Sequence, residues 1–160
     1  KGEYKPKPED AFIDMKISAH IPPTYISSEA DRMEMYKKIS LIRTDEDRVD
    51  VEDELCDRFG EMPRVTERLL LVSATRAMAT DAGITKISVT ESMITIKCKE
   101  ANLSLWSEVF AKYPTMRFAP GDPTVILYRF VKADPPRLLH EIITLAYKTA
   151  KDMEGENPSG

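Results

Sequence analysis

Residues 44–63 read TDEDRVDVEDELCDRFGEMP, and this stretch predicts a helix with well-defined ends. Thr44 is a suitable N-cap residue, and Asp47 three positions later completes an acidic form of the capping box. At the other end, Gly60 suits the left-handed C′ position, and Pro63 follows it, as is typical after a helix terminus. We therefore expect the rest of the chain to be arranged around one well-capped helix.

This predicted helix is both acidic and amphipathic. Between Asp45 and Asp57 it carries eight acidic side chains against one basic side chain, that of Arg48. At 100° per residue, four acids fall on one stripe: Glu46, Asp50, Asp53 and Asp57. An apolar set falls on the far side: Val51, Leu55 and Phe59, flanked by Val49 and Cys56. One face can therefore pack on the protein while the other presents negative charge, either to solvent or to a partner.

Size and composition predict one globular domain. The chain has 160 residues, of which 42% are apolar and 31% charged, and these proportions are ordinary for such a domain. We expect a linker at residues 1–10, a single domain at residues 11–153 and a frayed tail at residues 154–160. The first residue is lysine rather than methionine, so we expect a piece of a longer protein. The net charge of −4 argues against a main nucleic-acid-binding module.

The segments before the acidic helix predict a strand and a helix. Residues 11–19 read AFIDMKISA, an alternation typical of a half-buried strand. Ser27 or Ser28 can cap a helix that runs to about Arg43. Its apolar stripe is expected to contain Met33, Tyr36, Ile39 and Ile42. Because a short turn joins this helix to the acidic one, the two are expected to pack as a helical hairpin.

The segments after the acidic helix predict a mixture of helices and strands. In order, we expect a third helix between Pro63 and Gly83, a β-hairpin over residues 86–98, a short helix capped by Asn102, a strand over residues 124–131 and a final helix capped by Asp134. The predicted class is α+β. A helical half of about three helices packs with a small mixed or antiparallel sheet and a C-terminal helix.

The sequence contains few residues arranged for chemistry. It has no glycine-rich phosphate loop, and His20 and His140 are far apart, without neighbours at metal-ligand spacing. Cys56 and Cys98 lack CxxC spacing and lie in apolar patterns, so we expect two buried free thiols in a reducing compartment. No apolar run approaches the roughly 18 residues of a membrane span. We therefore expect no catalytic, cofactor or metal site in this chain and no membrane association.

The acidic face of the predicted helix has two possible interpretations. A negative surface helix is most often simply solvated. Here, however, its i, i+4 neighbours are mostly like-charged, which is unfavourable, and Glu54 and Asp57 lie in the last turns, where the helix dipole disfavours carboxylates. An arginine-bearing partner would convert that penalty into charge-assisted hydrogen bonds.

Two patterns in the sequence resemble the C-terminal domain of the bacterial transcription-repair coupling factor family (Mfd). The first is IPxxYIxSxxxRxxxYxxI at residues 21–39, and the second is ELxDRFGxxP at residues 54–63. The resemblance is strong over residues 13–84 and weaker, although collinear, through the last helix.

This resemblance implies a regulatory domain of a cytoplasmic, ATP-driven translocase on double-stranded DNA, which displaces stalled RNA polymerase and recruits UvrA for nucleotide excision repair. ATP and Mg²⁺ would bind the upstream motor. In the family, this domain docks on an N-terminal UvrB-like module and masks the UvrA-binding surface. The carboxylates matching the family contact are Glu54 and Asp57, which would face arginines. Arg58, Phe59 and Gly60 are expected to hold the turn.

Two other functions remain open at this point. The domain could contact DNA as an accessory part of the translocase, which a lysine–arginine stripe on the folded surface would favour. Alternatively, it could be a structural cap without a partner, which a scattered acidic face would favour.

Overall fold

Five helices and five strands form the part of the chain described by the computed structural model, residues 10–156. In chain order they are β1 (Phe12–Met15), α1 (Glu29–Ser40), α2 (Asp45–Phe59), α3 (Arg64–Asp81), β2 (Ile84–Val89), β3 (Met93–Cys98), α4 (Leu103–Lys112), β4 (Arg117–Ala119), β5 (Asp122–Arg129) and α5 (Pro135–Glu156). The expected α+β class is confirmed. The expected linker lies outside the described residues except for Asp10, as do residues 157–160 of the expected tail.

The sheet has the strand order β1-β2-β3-β5-β4 and is mixed. β1 pairs in parallel with β2, and the other neighbours are antiparallel. One row of isoleucines crosses four strands in register, namely Ile13, Ile87, Ile96 and Ile126. The last three are fully buried. Because side chains alternate across a strand, this row defines the face of the sheet that packs on the core.

The helices pack on the face of the sheet that carries the isoleucine row. α3 packs extensively on α5, and α2 packs on α3. Leu70 and Met78 of α3, Ile142 of α5 and Trp106 of α4 are at most 1% exposed and belong to the same core cluster as the isoleucines. Trp106 is therefore a core residue, as its position on the apolar stripe of a short helix predicts.

The apolar stripe predicted for α1 was partly wrong. Met33 is 42% exposed, whereas Met35 is fully buried together with Ile39 and Ile42. The helix begins after Ser28, whose hydroxyl accepts a hydrogen bond from the Asp31 amide, and it ends at Ser40, before Arg43. A spacing of three residues drifts around a helix of 3.6 residues per turn, so the stripe follows the i, i+4, i+7 positions.

The two cysteines differ in their environments. Cys98 is 6% exposed, and burial raises the pKa of its thiol to about 11. Cys56 is exposed, so the prediction of two buried thiols was wrong for this residue. The fully buried Leu55 points into the core, and the next side chain along a helix is rotated by about 100°, which turns Cys56 towards solvent.

The last predicted strand is shifted by two residues, because it was expected over residues 124–131 and β5 spans Asp122–Arg129. β4 is a three-residue strand over Arg117–Ala119, for which the sequence had predicted no specific range. Asp122 and Pro123, which precede the predicted strand, belong to β5, and the turn is formed by Pro120 and Gly121. Gly121 has a φ of +76°, which permits this tight reversal.

Replacement of Leu55 by alanine tests whether α2 is part of the core. Leu55→Ala is expected to lower the free energy of unfolding by about 2–5 kcal/mol, because it removes a fully buried side chain and leaves a cavity. Val49→Ala, on the same helix but 39% exposed, is the control and should change it by no more than about 0.5 kcal/mol. Urea unfolding followed by circular dichroism measures both, and equal effects would contradict this placement of α2.

Candidate functional site

The start of α2 has the predicted capping box. The Thr44 hydroxyl accepts a hydrogen bond from the Asp47 amide at 3.1 Å, and the Asp47 carboxylate accepts from the Thr44 amide at 3.2 Å. The same carboxylate oxygen accepts from the Arg43 amide at 2.9 Å. The capping residues thus fix where α2 begins and therefore which carboxylates share a face further along.

Besides Asp47 in the capping box, two acids in the first half of α2, Asp45 and Glu52, are paired with neighbouring cations. Arg48 Nε lies 2.6 Å from Asp45 Oδ1, and Arg48 NH1 lies 3.5 Å from Glu52. The His140 ring of α5 also contacts Asp45, with Nε2 2.7 Å from Oδ1. An ionised carboxylate can only accept, so Nε2 donates in this pair. The start of α2 is therefore tied to α5 by a contact that sequence spacing did not reveal.

Glu54 forms a second ion cluster near the end of α2. Its Oε2 lies 2.7 Å from Lys38 Nζ of α1 and 3.0 Å from Arg58 NH1. Hydrogen bonds from Lys38, and then from Arg58, hold the pKa of the Glu54 carboxyl below its usual value. Arg58 also contacts Glu34 at 3.3 Å and Asp31 at 3.7 Å. This cluster joins the two helices of the predicted hairpin.

The two carboxylates singled out by the family resemblance have different environments. Glu54 is 31% exposed and uses Oε2 for both cations, whereas its Oε1 has no hydrogen-bond partner within residues 10–156. Asp57, three residues on, is exposed and forms no ion pair in that same part of the chain. Glu54 is therefore partly engaged within the fold, whereas the Asp57 carboxylate has no ion-pair partner among residues 10–156.

Asp57 is the last member of an exposed carboxylate row. We use the name free acidic row for Glu46, Asp50, Asp53 and Asp57, which are all exposed and without an ion-pair partner in the described region. Glu46 and Asp57 are eleven positions apart, so the row extends roughly 16 Å along the helix. The sequence had predicted this stripe, and the structure confirms that it faces outwards rather than being scattered.

The turn after α2 is held by Tyr25. Its hydroxyl donates to the Gly60 carbonyl at 2.8 Å and lies 3.2 Å from the Leu55 carbonyl. Its ring packs edge-on against Phe59, and the Arg58 guanidinium lies 4.8 Å from the Phe59 ring centroid. Gly60 has φ +88° and ψ −168°, a region that is open essentially to glycine alone and differs from the predicted left-handed cap.

The sequence alone had missed three participants in this site. Lys38 and Glu34 lie four residues apart on α1, an ordinary signal for a helix-surface ion pair, but the signal does not show that both reach α2. Tyr25 belongs to the first family-like pattern, but its hydroxyl contact spans 35 residues of sequence. Such contacts depend on how the helices cross, which periodicity does not specify.

No group of His, Cys, Asp and Glu side chains within residues 10–156 is arranged to hold a metal ion. No helix in it combines the length and the apolar character that crossing a membrane requires.

Comparison with known proteins finds one family. The family model described as the TRCF domain matches residues 15–106. The transcription-repair-coupling factor of Mycobacterium tuberculosis (strain CDC 1551 / Oshkosh) is 32% identical over 121 residues, which cover 74% of this chain and 10% of that protein. That of Staphylococcus epidermidis (strain ATCC 12228 / FDA PCI 1200) is 38% identical over 82 residues, or 51% of this chain and 7% of that protein.

A solved structure shares the fold. The crystal structure of the C-terminal domain of a transcription-repair coupling factor superposes with a TM-score of 0.75 and 23% identity, covering 92% of this chain and 95% of that chain. The chain therefore spans about a tenth or less of the curated relatives but nearly all of this one domain.

Stability at low pH tests the contact between α2 and α5. Burial raises the pKa of the Asp45 carboxyl, but hydrogen bonds from Arg48 and His140 outweigh this and lower it below its ordinary value of 3.8. A depressed pKa stabilises the fold above 3.8, and this contribution is lost as the pH falls through the lower folded value. Asp45→Asn should therefore lower the free energy of unfolding at pH 7 by about 1 kcal/mol.

The difference between wild type and Asp45→Asn should shrink as the pH is lowered below 3.8, where the wild-type carboxyl becomes protonated. Urea unfolding at a series of pH values, from pH 7 to below pH 3.8, measures this difference in the free energy of unfolding. Glu46→Gln, at the adjacent exposed and unpaired position, is the control and should show little difference at either pH. A difference for Asp45→Asn that stays constant with pH would contradict the ion pairs described above.

Proposed function

The chain belongs to the TRCF domain family of transcription-repair-coupling factors, and from this premise we propose that it holds its parent protein in an autoinhibited state. The domain docks on the N-terminal UvrB-like module of the same protein and covers the surface that binds UvrA. The parent is a cytoplasmic, ATP-driven translocase on double-stranded DNA that releases stalled RNA polymerase. ATP and Mg²⁺ act in its motor, and this domain carries no catalytic residue.

The observation that carries this proposal is the free acidic row on a helix whose other acids are paired or cap the helix. Asp53 and Asp57 lie four residues apart, both exposed and unpaired within residues 10–156, so they repel each other in the isolated domain. A surface bearing arginines would relieve this repulsion. Arginine is the appropriate partner because its planar fork of donors matches carboxylate oxygens.

In the contact proposed from the family resemblance, Glu54 and Asp57 have different roles. Glu54 Oε2 is occupied by Lys38 and Arg58, so a partner arginine would bind its Oε1 together with the Asp57 carboxylate. Arg58 is turned towards Glu34 and Glu54 and packs over Phe59, which keeps its own charge away from Asp57. Arg58, Phe59 and Gly60 thus support the contact without making it.

Single-residue variants of the full-length parent test autoinhibition. Asp57→Asn keeps the side-chain size but removes the charge. Losing one partner of a docked charge pair typically costs about 2–5 kcal/mol, enough to shift a closed-to-open equilibrium by tenfold or more. We therefore expect UvrA binding and basal ATPase activity both to rise. Glu108→Gln, at an exposed carboxylate on α4 without an ion pair in the described region, is the matched control and should change neither.

Glu54→Gln separates docking from folding. It is expected to raise UvrA binding as well, but also to lower the free energy of unfolding by about 0.2–1 kcal/mol, since it weakens the tie to α1. Asp57→Asn should leave that free energy unchanged or slightly raised, because it relieves repulsion. The proposal fails if neither variant changes UvrA binding or ATPase activity in a protein that remains folded.

A further inference from the structure

The face of the sheet opposite the isoleucine row carries a cluster of cations. Register places Lys86 beside Lys97, Met93 beside Arg129, and Arg117 beside Leu127. Positions 93, 95 and 97 share one face of β3, and positions 125, 127 and 129 share the same face of β5. Lys86, Lys97, Arg117 and Arg129 therefore belong to one surface, here named the cationic sheet face, and all four side chains are exposed.

These four cations form no close ion pair within the described region. None of them lies within ion-pair distance of a carboxylate of residues 10–156. Asp14 is the one acid that the strands contribute to this face. Asp122 lies nearby at the start of β5, and hydrogen bonds from Thr124, together with the charge of Lys97, lower the pKa of its carboxyl below the usual value. Two acids against four cations leave an excess of two positive charges. The face therefore keeps a local positive charge although the chain as a whole has a net charge of −4.

The residues between the cations include an apolar group, here named the apolar centre, beside the polar Ser88 and Thr95. It consists of Met93, Val125 and Leu127, which lie between the cations on the same face and are half-buried. Phe12 adds an aromatic ring that is 60% exposed, beside Lys86, whose Nζ lies 6.0 Å from the ring centroid. Along the strands, roughly 13 Å separates Lys97 from the position of Arg129, and three strand spacings, roughly 14 Å, separate Lys86 from Arg117.

We propose that the cationic sheet face binds single-stranded nucleic acid, with phosphates on the cations and unstacked bases on the apolar centre and Phe12. Sequence-tolerant binders of single strands combine positive charge along the backbone with a ring on which bases stack. A duplex presents phosphates but keeps its bases stacked inside, so it would leave the apolar centre and Phe12 unused. Screening within about 10 Å at ordinary salt lets this face act independently of the acidic helix on the same domain.

Fluorescence anisotropy of the 160-residue chain with a labelled oligodeoxythymidylate of about 20 nucleotides, at about 50 mM salt, tests this proposal. A variant with Lys86→Gln, Lys97→Gln and Arg129→Gln should bind about tenfold or more weakly. The slope of log affinity against log salt concentration is negative, and its magnitude should decrease by about 2, because three phosphate contacts are lost. The matched control, with Lys37→Gln, Lys112→Gln and Lys148→Gln, changes the net charge equally at exposed helical positions and should stay within about twofold of wild type.

Phe12→Ala distinguishes a single strand from the other possible ligands. It should weaken binding of the oligonucleotide about fivefold through loss of stacking and leave a duplex of the same length unaffected. Unchanged circular dichroism and urea midpoints establish that the variants are folded. The proposal is overturned if wild type does not bind the oligonucleotide, if the two triple variants lose affinity equally, if Phe12→Ala has no effect, or if the duplex or a polyglutamate peptide binds more tightly.

Discussion

The oxygen Oε2 of Glu54 is the point at which the first two helices are joined. Lys38 of α1 and Arg58 of α2 both contact it, and Arg58 extends the cluster back to Glu34. These side chains are partly exposed, so the energetic contribution of each pair is modest. The cluster orients the end of α2. It leaves Glu54 Oε1 and the Asp57 carboxylate without a hydrogen-bonded cation among residues 10–156.

The fold places opposite charges on separate surfaces. The free acidic row lies on α2, in the helical half, whereas Lys86, Lys97, Arg117 and Arg129 share the outer face of the sheet. Both surfaces lack internal ion-pair partners within residues 10–156, while other acids of α2 have them. The described part of the domain thus presents two distinct charged surfaces of opposite sign.

Local features of the sequence predicted much of this fold. The capping box of Thr44 and Asp47, the hairpin of β2 and β3, and the buried Leu55 follow from spacing within a few residues. A few local predictions failed, at Met33, at Cys56 and at the Gly60 cap. The contacts that the sequence did not reveal are non-local. The contacts of Lys38 with Glu54 and of His140 with Asp45 depend on helix crossings, and the cationic sheet face depends on strand order, because its residues are spread over positions 86–129. In the sequence, these cations are interspersed with acids and therefore gave no visible stripe.

The central claim is that the free carboxylates at the end of α2 dock the domain electrostatically on the UvrB-like module. Isothermal titration calorimetry of the 160-residue chain with that module, at ionic strengths of about 0.01 M and about 0.15 M, tests it most directly. The account predicts a Kd that weakens about fivefold or more at the higher ionic strength, with a smaller salt dependence for Asp57→Asn. A Kd that does not change with salt, or a complete absence of binding at low ionic strength, would contradict it.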